Sequence, residues 1–209
     1  MIRNNMLNIK NISYSYINKK VLDNLSCELK DKENLVIIGK SGSGKTTLLH
    51  LIAGLLKAQN GELDFNGLNL KTLNEKQLDD FRAKNVGLIF QQFHLINALT
   101  AFENVKLAND NISDDEVNVL FDKLDIAEVK NKRPSQLSIG QKQRVAVARA
   151  LANKPKLIIA DEPTSNLDDD NANKTIELLV KYTAESGAQL VIATHDSRIK
   201  SKFKNMLEL

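Results

Sequence analysis

LVIIGKSGSGKTTLLHLIAGLL, Leu35–Leu56, joins a compact apolar run to a segment of helical length through a loop of glycine, serine and lysine. LVIIG (Leu35–Gly39) reads as a fully buried strand, and KTTLLHLIAGLL (Lys45–Leu56) as a helix. Between them, GKSGSGKT (Gly39–Thr46) fits G-x-x-x-x-G-K-[ST]. The strand before and helix after are the context that gives this pattern weight. In such a cradle Gly39, Lys40, Ser41, Gly42, Ser43 and Gly44 let backbone N–H groups turn inward around phosphates, and the helix N-terminus adds its positive dipole end. Lys45 then reaches the β- and γ-phosphates, and the Thr46 hydroxyl ligates Mg²⁺. A glycine-rich surface loop is the bland alternative, and the agreement of strand, pattern and helix argues against it. The cradle serves kinases, GTPases and ATPases alike, so it fixes a nucleotide but no single activity.

Outward from this stretch, strands and helices alternate. LNIKNISYSY (Leu7–Tyr16) and VLDNLSCELK (Val21–Lys30) alternate apolar and polar residues, as half-buried antiparallel strands do around a turn near Asn18. GELDFNG (Gly61–Gly67) is a short strand between glycine turns, and VGLIF (Val86–Phe90) a buried one. From Gln91 to about Gly140 the chain reads as helical. It holds two S/T-x-x-E capping boxes, Thr100–Glu103 and Ser113–Glu116. A helix over Gln141–Asn153, a stop at Pro155 and the strand LIIAD (Leu157–Asp161) follow. Then come a helix from about Asp170 to Ser186, ended by Gly187, and the strand LVIAT (Leu190–Thr194). The pattern predicts an α/β domain. Its P-loop NTPase (RecA-like) core carries a parallel sheet, with an N-terminal antiparallel β subdomain and a helical insert. The expected division is a single domain over 1–209, with core segments 1–90 and 142–209 and a helical subdomain over 91–141.

Composition narrows the class. The chain's 209 residues suit one domain, and 42% apolar with 26% charged residues is ordinary for a water-soluble fold. A net charge of +3 from 29 basic and 26 acidic side chains is too balanced for a nucleic-acid surface, so no nucleic-acid partner is expected. The single Cys27 excludes an internal disulfide and lacks support as a nucleophile. No apolar run approaches the roughly 20 residues of a membrane helix, and the N-terminus lacks the apolar core of a signal peptide. The expectation is a cytoplasmic protein, held at any membrane by another subunit.

LIIADE (Leu157–Glu162) supplies the chemistry that the cradle leaves open. Asp161 ends a buried strand, where its carboxylate can hold Mg²⁺. Strand alternation sends Glu162 to the opposite side, a place for a base that orients the attacking water. A carboxylate pair merely capping a strand end is the weaker alternative. The guanine-reading N-K-x-D pattern is absent, which argues against a GTPase, and a small-molecule kinase has no need of the Ser-Ile-Gly-Gln turn at Ser138–Gln141.

LSIGQ (Leu137–Gln141), followed by KQRVAVARAL, resembles the signature written LSGGQ in the nucleotide-binding subunits of ATP-binding-cassette (ABC) transporters. The resemblance runs from about Ile9 to the C-terminus, with the motifs in family order. It implies an ATPase in which two copies pack head to tail around two ATP molecules. Each ATP would lie between the cradle of one copy and Ser138, Gly140 and Gln141 of the other. SNLD (Ser165–Asp168) resembles the family's D-loop, placing Ser165 and Asp168 at that junction. His195 resembles the histidine that holds the γ-phosphate and the water with Glu162. Gln91 resembles the Q-loop glutamine that touches Mg²⁺ and the water, with Gln92 the alternative. Tyr16 matches the aromatic that stacks on adenine, Tyr14 being the alternative, although an aromatic in such a strand is more often core. Thr47 is expected at the α-phosphate. One departure stands out: the family's first signature glycine is Ile139 here. At an ordinary φ its side chain would point away, leaving a working and slower site.

IFQQFHLINALTAFENV (Ile89–Val105) and DEPTSNLD (Asp161–Asp168) resemble the lipoprotein-release, macrolide-export and cell-division branch, although amino-acid importers share much of the pattern. The expected partners are a second copy and separate transmembrane permease subunits, with the chain peripheral on the cytoplasmic face of the cell membrane. The segment after His195 is short, so no C-terminal regulatory domain is expected. A soluble ABC ATPase without a transporter is the rival. DNA-repair members would need a long coiled-coil insertion and translation members two cassettes; an iron–sulfur assembly ATPase stays open.

Overall fold

The computed structural model describes residues 5–17, 19–200 and 202–209; the turn expected near Asn18 falls outside them. Strand β1 (Asn5–Tyr16) pairs antiparallel with β2 (Lys19–Lys30) on one side and with β4 (Asn60–Phe65) on the other, and β4 pairs with the two-residue β5 (Leu68–Asn69). This is the predicted antiparallel layer.

The second sheet is parallel throughout. It contains β3 (Leu35–Ile38), β6 (Val86–Ile89), β7 (Leu157–Asp161), β8 (Gln189–Thr194) and β9 (Asn205–Glu208), in the order β6-β7-β8-β3-β9. Its central strands are buried along almost their whole length, as a sheet covered on both faces requires. Residue parity sorts them into two apolar clusters. Val36, Ile158, Ala160, Leu190 and Ile192 face one way, with Val145 and Ile176. Leu35, Ile37, Ile159, Val191 and Ala193 face the other, with Leu48, Ile52 and the antiparallel-sheet residues Ile9 and Leu63. The first face is covered by α5 (Ile139–Leu151) and α6 (Asp169–Ser186), the second by α1 (Lys45–Ile52) and the antiparallel sheet.

Gln91–Gly140 is less helical than the sequence suggests. Its helices are α3 (Ala101–Lys106) and α4 (Asp114–Lys123), both started by the predicted capping boxes, with two 3₁₀ turns later. Residues 91–99 are irregular, and Asn104 ties them down: its side chain accepts from Ile96 N and donates to Ile96 O, 2.7 and 3.1 Å away. Ala101, Val105, Val117 and Phe121 join the same apolar cluster as Val145 and Ile158, so these helices share the core of the parallel sheet.

Two helix starts or ends are shifted from expectation, and further helices appear that were not expected. The first helix stops at Ile52, because Gly54 adopts φ +67. Helix α5 begins at Ile139, two residues before the expected Gln141, because Ser138 and Gln141 form a reciprocal capping box. Helix α2 (Glu75–Asn85) was not expected; its start is fixed by an Asn74–Gln77 box, and only Leu78 and Phe81 bury fully. A four-residue helix, α7 (Ser197–Lys200), follows β8.

Candidate nucleotide site

A cleft of about 540 Å³ opens where β3 and β7 end and β8 runs out into His195. The chain folds this way because β3 is followed at once by the glycine loop, which wraps the start of α1. Gly44 caps that helix at φ +105, and a Cβ there would lie 2.9 Å from Val21 Cγ1, so glycine is required twice over. Gly39 has no room either: a Cβ would meet Ser43 Oγ at 2.5 Å and the Leu209 carbonyl at 2.6 Å.

Lys45 is almost fully buried. Its ammonium donates to the carbonyls of Gly39 at 2.8 Å and Lys40 at 3.1 Å, and stands 3.9 Å from Glu162 Oε1. Gly39, Lys40 and Ser43 do not line the cleft; the first two hold Lys45 through their carbonyls, and the Ser43 hydroxyl is buried without a hydrogen-bond partner among the described residues. Ser41, Gly42, Gly44, Thr46 and Thr47 do line it.

The Thr46 hydroxyl donates to Asp161 Oδ2 at 2.7 Å. Asp161 Oδ1 is buried with no partner among the described residues. Burial pushes the Asp161 carboxyl above its ordinary value of 3.8, against the lowering effect of the Thr46 hydrogen bond. A buried, under-partnered carboxylate beside a hydroxyl is a hard oxygen donor pair, and an Mg²⁺ ion there would relieve the cost of its charge. Gln91 lines the same cleft, whereas Gln92 does not.

Glu162 does not sit opposite Asp161. Both carboxylates line one cleft, because the strand ends at Asp161 and Glu162 turns into the left-handed region at φ +47. That conformation costs about 1–3 kcal/mol for a residue other than glycine. It is held by Glu162 N donating to Ala193 O at 2.9 Å and Ser165 N donating to Glu162 O at 3.2 Å. Glu162 Oε1 lies 2.8 Å from His195 Nδ1. Its Oε2 accepts from Thr194 Oγ1 at 3.1 Å and from His195 N at 3.4 Å. The carboxylate is 13% exposed while the imidazole is 69% exposed, so the ring covers a buried acid.

At the far end, Tyr16 is 46% exposed and lines the cleft, with its hydroxyl 3.5 Å from Thr47 Oγ1. Tyr14 packs edge-on behind it, ring centroids 5.0 Å apart, against the apolar cluster below. Two lining residues escaped sequence reasoning, Lys19 and Val21. The register of the β1–β2 hairpin, in which Tyr16 faces Lys19, is the signal that could have found them.

Ser138, Gly140, Gln141 and Asp168 are absent from the cleft. Ser138 caps α5, accepting from Gln141 N at 3.2 Å, and Gln141 also donates to Glu128 at 3.3 Å. Ile139 lies in the first helical turn, outside the positive-φ residues, with its side chain 52% exposed. Asp168 caps α6, accepting from Asn171 N at 2.9 Å, and Asn171 hydrogen bonds hold its carboxyl below the usual carboxylate range. Ser165 is exposed in the same loop, and Asn166 donates to the Gln91 carbonyl at 3.3 Å. Arg149 grips the next residues, donating to Phe93 O at 2.7 Å and His94 O at 2.5 Å.

The family model described as ABC transporter matches residues 22–165. The lipoprotein-releasing system ATP-binding protein LolD of Buchnera aphidicola is 40% identical over 195 residues, covering 90% of this chain and 86% of that protein. The macrolide export ATP-binding/permease protein MacB of Bdellovibrio bacteriovorus is 36% identical over 212 residues, covering 98% of this chain and 32% of its own length. Among solved structures, the dimeric post-hydrolysis state of the ATP-binding cassette MJ0796, bound to ADP and Pi, superposes with a TM-score of 0.87 at 37% identity. It covers 98% of this chain and 94% of that one.

Proposed function

The chain belongs to the ABC transporter family as an ATP-binding, ATP-hydrolysing subunit, and from that premise we propose that its cleft is one half of an ATP site completed by a second copy. The observation that carries this reading is the convergence in one cleft of Lys45, the Thr46–Asp161 pair and the Glu162–His195 pair.

In this reading ATP enters with its adenine on Tyr16 and its phosphates over the glycine loop. Lys45 exchanges the carbonyls of Gly39 and Lys40 for the β- and γ-phosphates, and Thr47 lies at the α-phosphate. Thr46, Asp161 and Gln91 are the residues that would hold Mg²⁺, which when bound neutralises charge on the phosphates. Glu162 Oε1, facing His195 and Lys45, takes the proton of a water aimed at the γ-phosphorus. As the water oxygen bonds to phosphorus, the bond to the β-bridging oxygen breaks and ADP leaves. The imidazole of His195 excludes bulk water and orients both partners.

The signature residues Ser138, Gly140 and Gln141, with Ser165 and Asp168, serve the partner's nucleotide. Their absence from the chain's own cleft supports that assignment, and the dimeric ADP- and Pi-bound relative is consistent with it. The relatives' names support a lipoprotein-release or macrolide-export type of transporter, with the chain peripheral on the cytoplasmic face of a membrane and docked on separate permease subunits through the 91–141 helical subdomain. Nothing in these relatives favours a non-transport ATPase.

The test is Glu162→Gln. ATP binding should survive while steady-state phosphate release falls by about 10²–10⁴-fold. Near-normal release would remove Glu162 from the role of base.

A further inference from the structure

We propose that Thr194 is a positioning residue for ATP hydrolysis, fixing which oxygen of Glu162 works on the water. Its side chain is fully buried at the end of β8. Its hydroxyl accepts from Asp196 N at 3.0 Å and reaches Glu162 Oε2 at 3.1 Å. A backbone N–H can only donate, so the Asp196 bond occupies a lone pair of Thr194 Oγ1 and leaves its one proton for Glu162. The direction of the second bond is thereby settled by the first.

The two carboxylate oxygens then differ. Oε2 is anchored by Thr194 Oγ1 and, at 3.4 Å, by His195 N. Oε1 faces the exposed imidazole at 2.8 Å and the Lys45 ammonium at 3.9 Å. An anchored Oε2 leaves Oε1 as the oxygen that can take a proton. The anchor also has a local reason. Glu162 leaves its strand in the left-handed region, where the backbone alone does not hold the side chain on β8. One backbone bond, Glu162 N to Ala193 O at 2.9 Å, and one side-chain bond from the next residue, Thr194, tie the same pair of strand ends together. Thr194 touches the carboxylate and lies outside the residues lining the cleft, so it acts through Glu162.

The inference rests on Glu162 being the base, and the variants keep the two claims apart. Thr194→Val, which keeps shape and removes the hydroxyl, should lower kcat by about 10- to 100-fold, the scale of a lost hydrogen bond to a charged group. KM for ATP should stay within about twofold, since no phosphate-binding group is touched. Thr194→Ser should restore kcat. Slow turnover should also make Thr194→Val accumulate an ATP-dependent dimer by light scattering, as is expected of Glu162→Gln. In the Glu162→Gln background, Thr194→Val should cost almost nothing further, because it has no working carboxylate left to aim. Wild-type kcat in Thr194→Val with Glu162→Gln inactive would overturn the proposal, as would full additivity in the double variant. Normal hydrolysis by Glu162→Gln would instead overturn the base itself. If Thr194→Val melts early, the Thr194→Ala and Thr194→Ser pair, compared at equal nucleotide-bound melting temperature, decides the question by the same kcat difference.

Discussion

His195 Nδ1 stands 2.8 Å from Glu162 Oε1, an imidazole 69% exposed laid over a carboxylate 13% exposed. The pair lies across two strand ends, β7 and β8, so neither residue alone defines the site. His195→Ala should leave ATP binding nearly intact and reduce turnover by about 10²-fold or more, since a misplaced water loses its near-attack geometry. Parallel nucleotide titration and phosphate-release assays check this. Unchanged turnover would make the imidazole a bystander.

Tyr16 and Tyr14 are in edge contact, yet only Tyr16 borders the cleft. Tyr16→Ala should therefore weaken ATP binding by roughly 1–3 kcal/mol, the scale of lost base–aromatic stacking. Tyr14→Ala should spare affinity and lower stability by about 1–2 kcal/mol, through loss of half-buried apolar contact. Calorimetric titration beside thermal melting separates them, and the reverse ranking would move the adenine shelf by two residues.

Ile139, where the family signature carries glycine, occupies an ordinary helical position with its side chain half in solvent. Ile139→Gly should cost under about 1 kcal/mol of helix stability and leave hydrolysis equal or faster. A large loss of activity at unchanged melting would reveal a specific contact for this isoleucine in the closed pair.

What the sequence disclosed and what it concealed follow from how each feature is encoded. The strand–loop–helix at Leu35–Ile52 was legible because apolar run, glycine spacing and helix pattern coincide, and the parallel sheet because its central strands are apolar throughout. Helix α2 was not, since two fully buried positions in eleven residues give no apolar period and its capping box uses Asn74 and Gln77. The alternation of β9 spans four residues, too few to read. Strand alternation gives the wrong side for Glu162 because it assumes a continuing strand, and no glycine advertises its left-handed turn. Thr194 passed as the last letter of an apolar strand; only the fold brings its hydroxyl to Glu162.

Glu116 links α4 to the loop before β7 through Lys154 at 2.7 Å. That ion pair, with the Ser113 backbone and hydroxyl donors, holds its carboxyl down from 4.5 to about 2. A depressed folded value means stability present above the unfolded value and lost as pH falls toward the folded one. The difference in urea midpoint between the wild type and Glu116→Gln should thus be constant near neutrality and shrink from about pH 4.5 down toward about 2. Both side chains are solvent-exposed, so the difference should be small and should diminish further in high salt. A difference independent of pH would mean that neither the Lys154 pair nor the Ser113 bonds favour the charged carboxylate, and one that follows pH but not salt would leave the Ser113 cap as its main support.

The shared site makes the sharpest demand. Lys45, Thr46, Asp161 and Glu162 meet in one cleft, while Ser138 caps a helix elsewhere on the same chain. Hydrolysis should then rise more than linearly with protein concentration, and Glu162→Gln with ATP should accumulate a dimer that cannot hydrolyse its way open. Ser138→Arg should block that dimer by setting bulk and charge against the facing nucleotide, while single-chain ATP binding persists. Mixing Lys45→Ala with Ser138→Arg subunits completes the argument. Each homodimer has two damaged sites, because either the cradle or the signature fails in both. A heterodimer collects both lesions in one site and leaves the other with an intact cradle from one subunit and an intact signature from its partner. Activity in the mixture should exceed that of either variant alone. If mixing restores nothing although heterodimers form, the two halves of the site do not come from different chains.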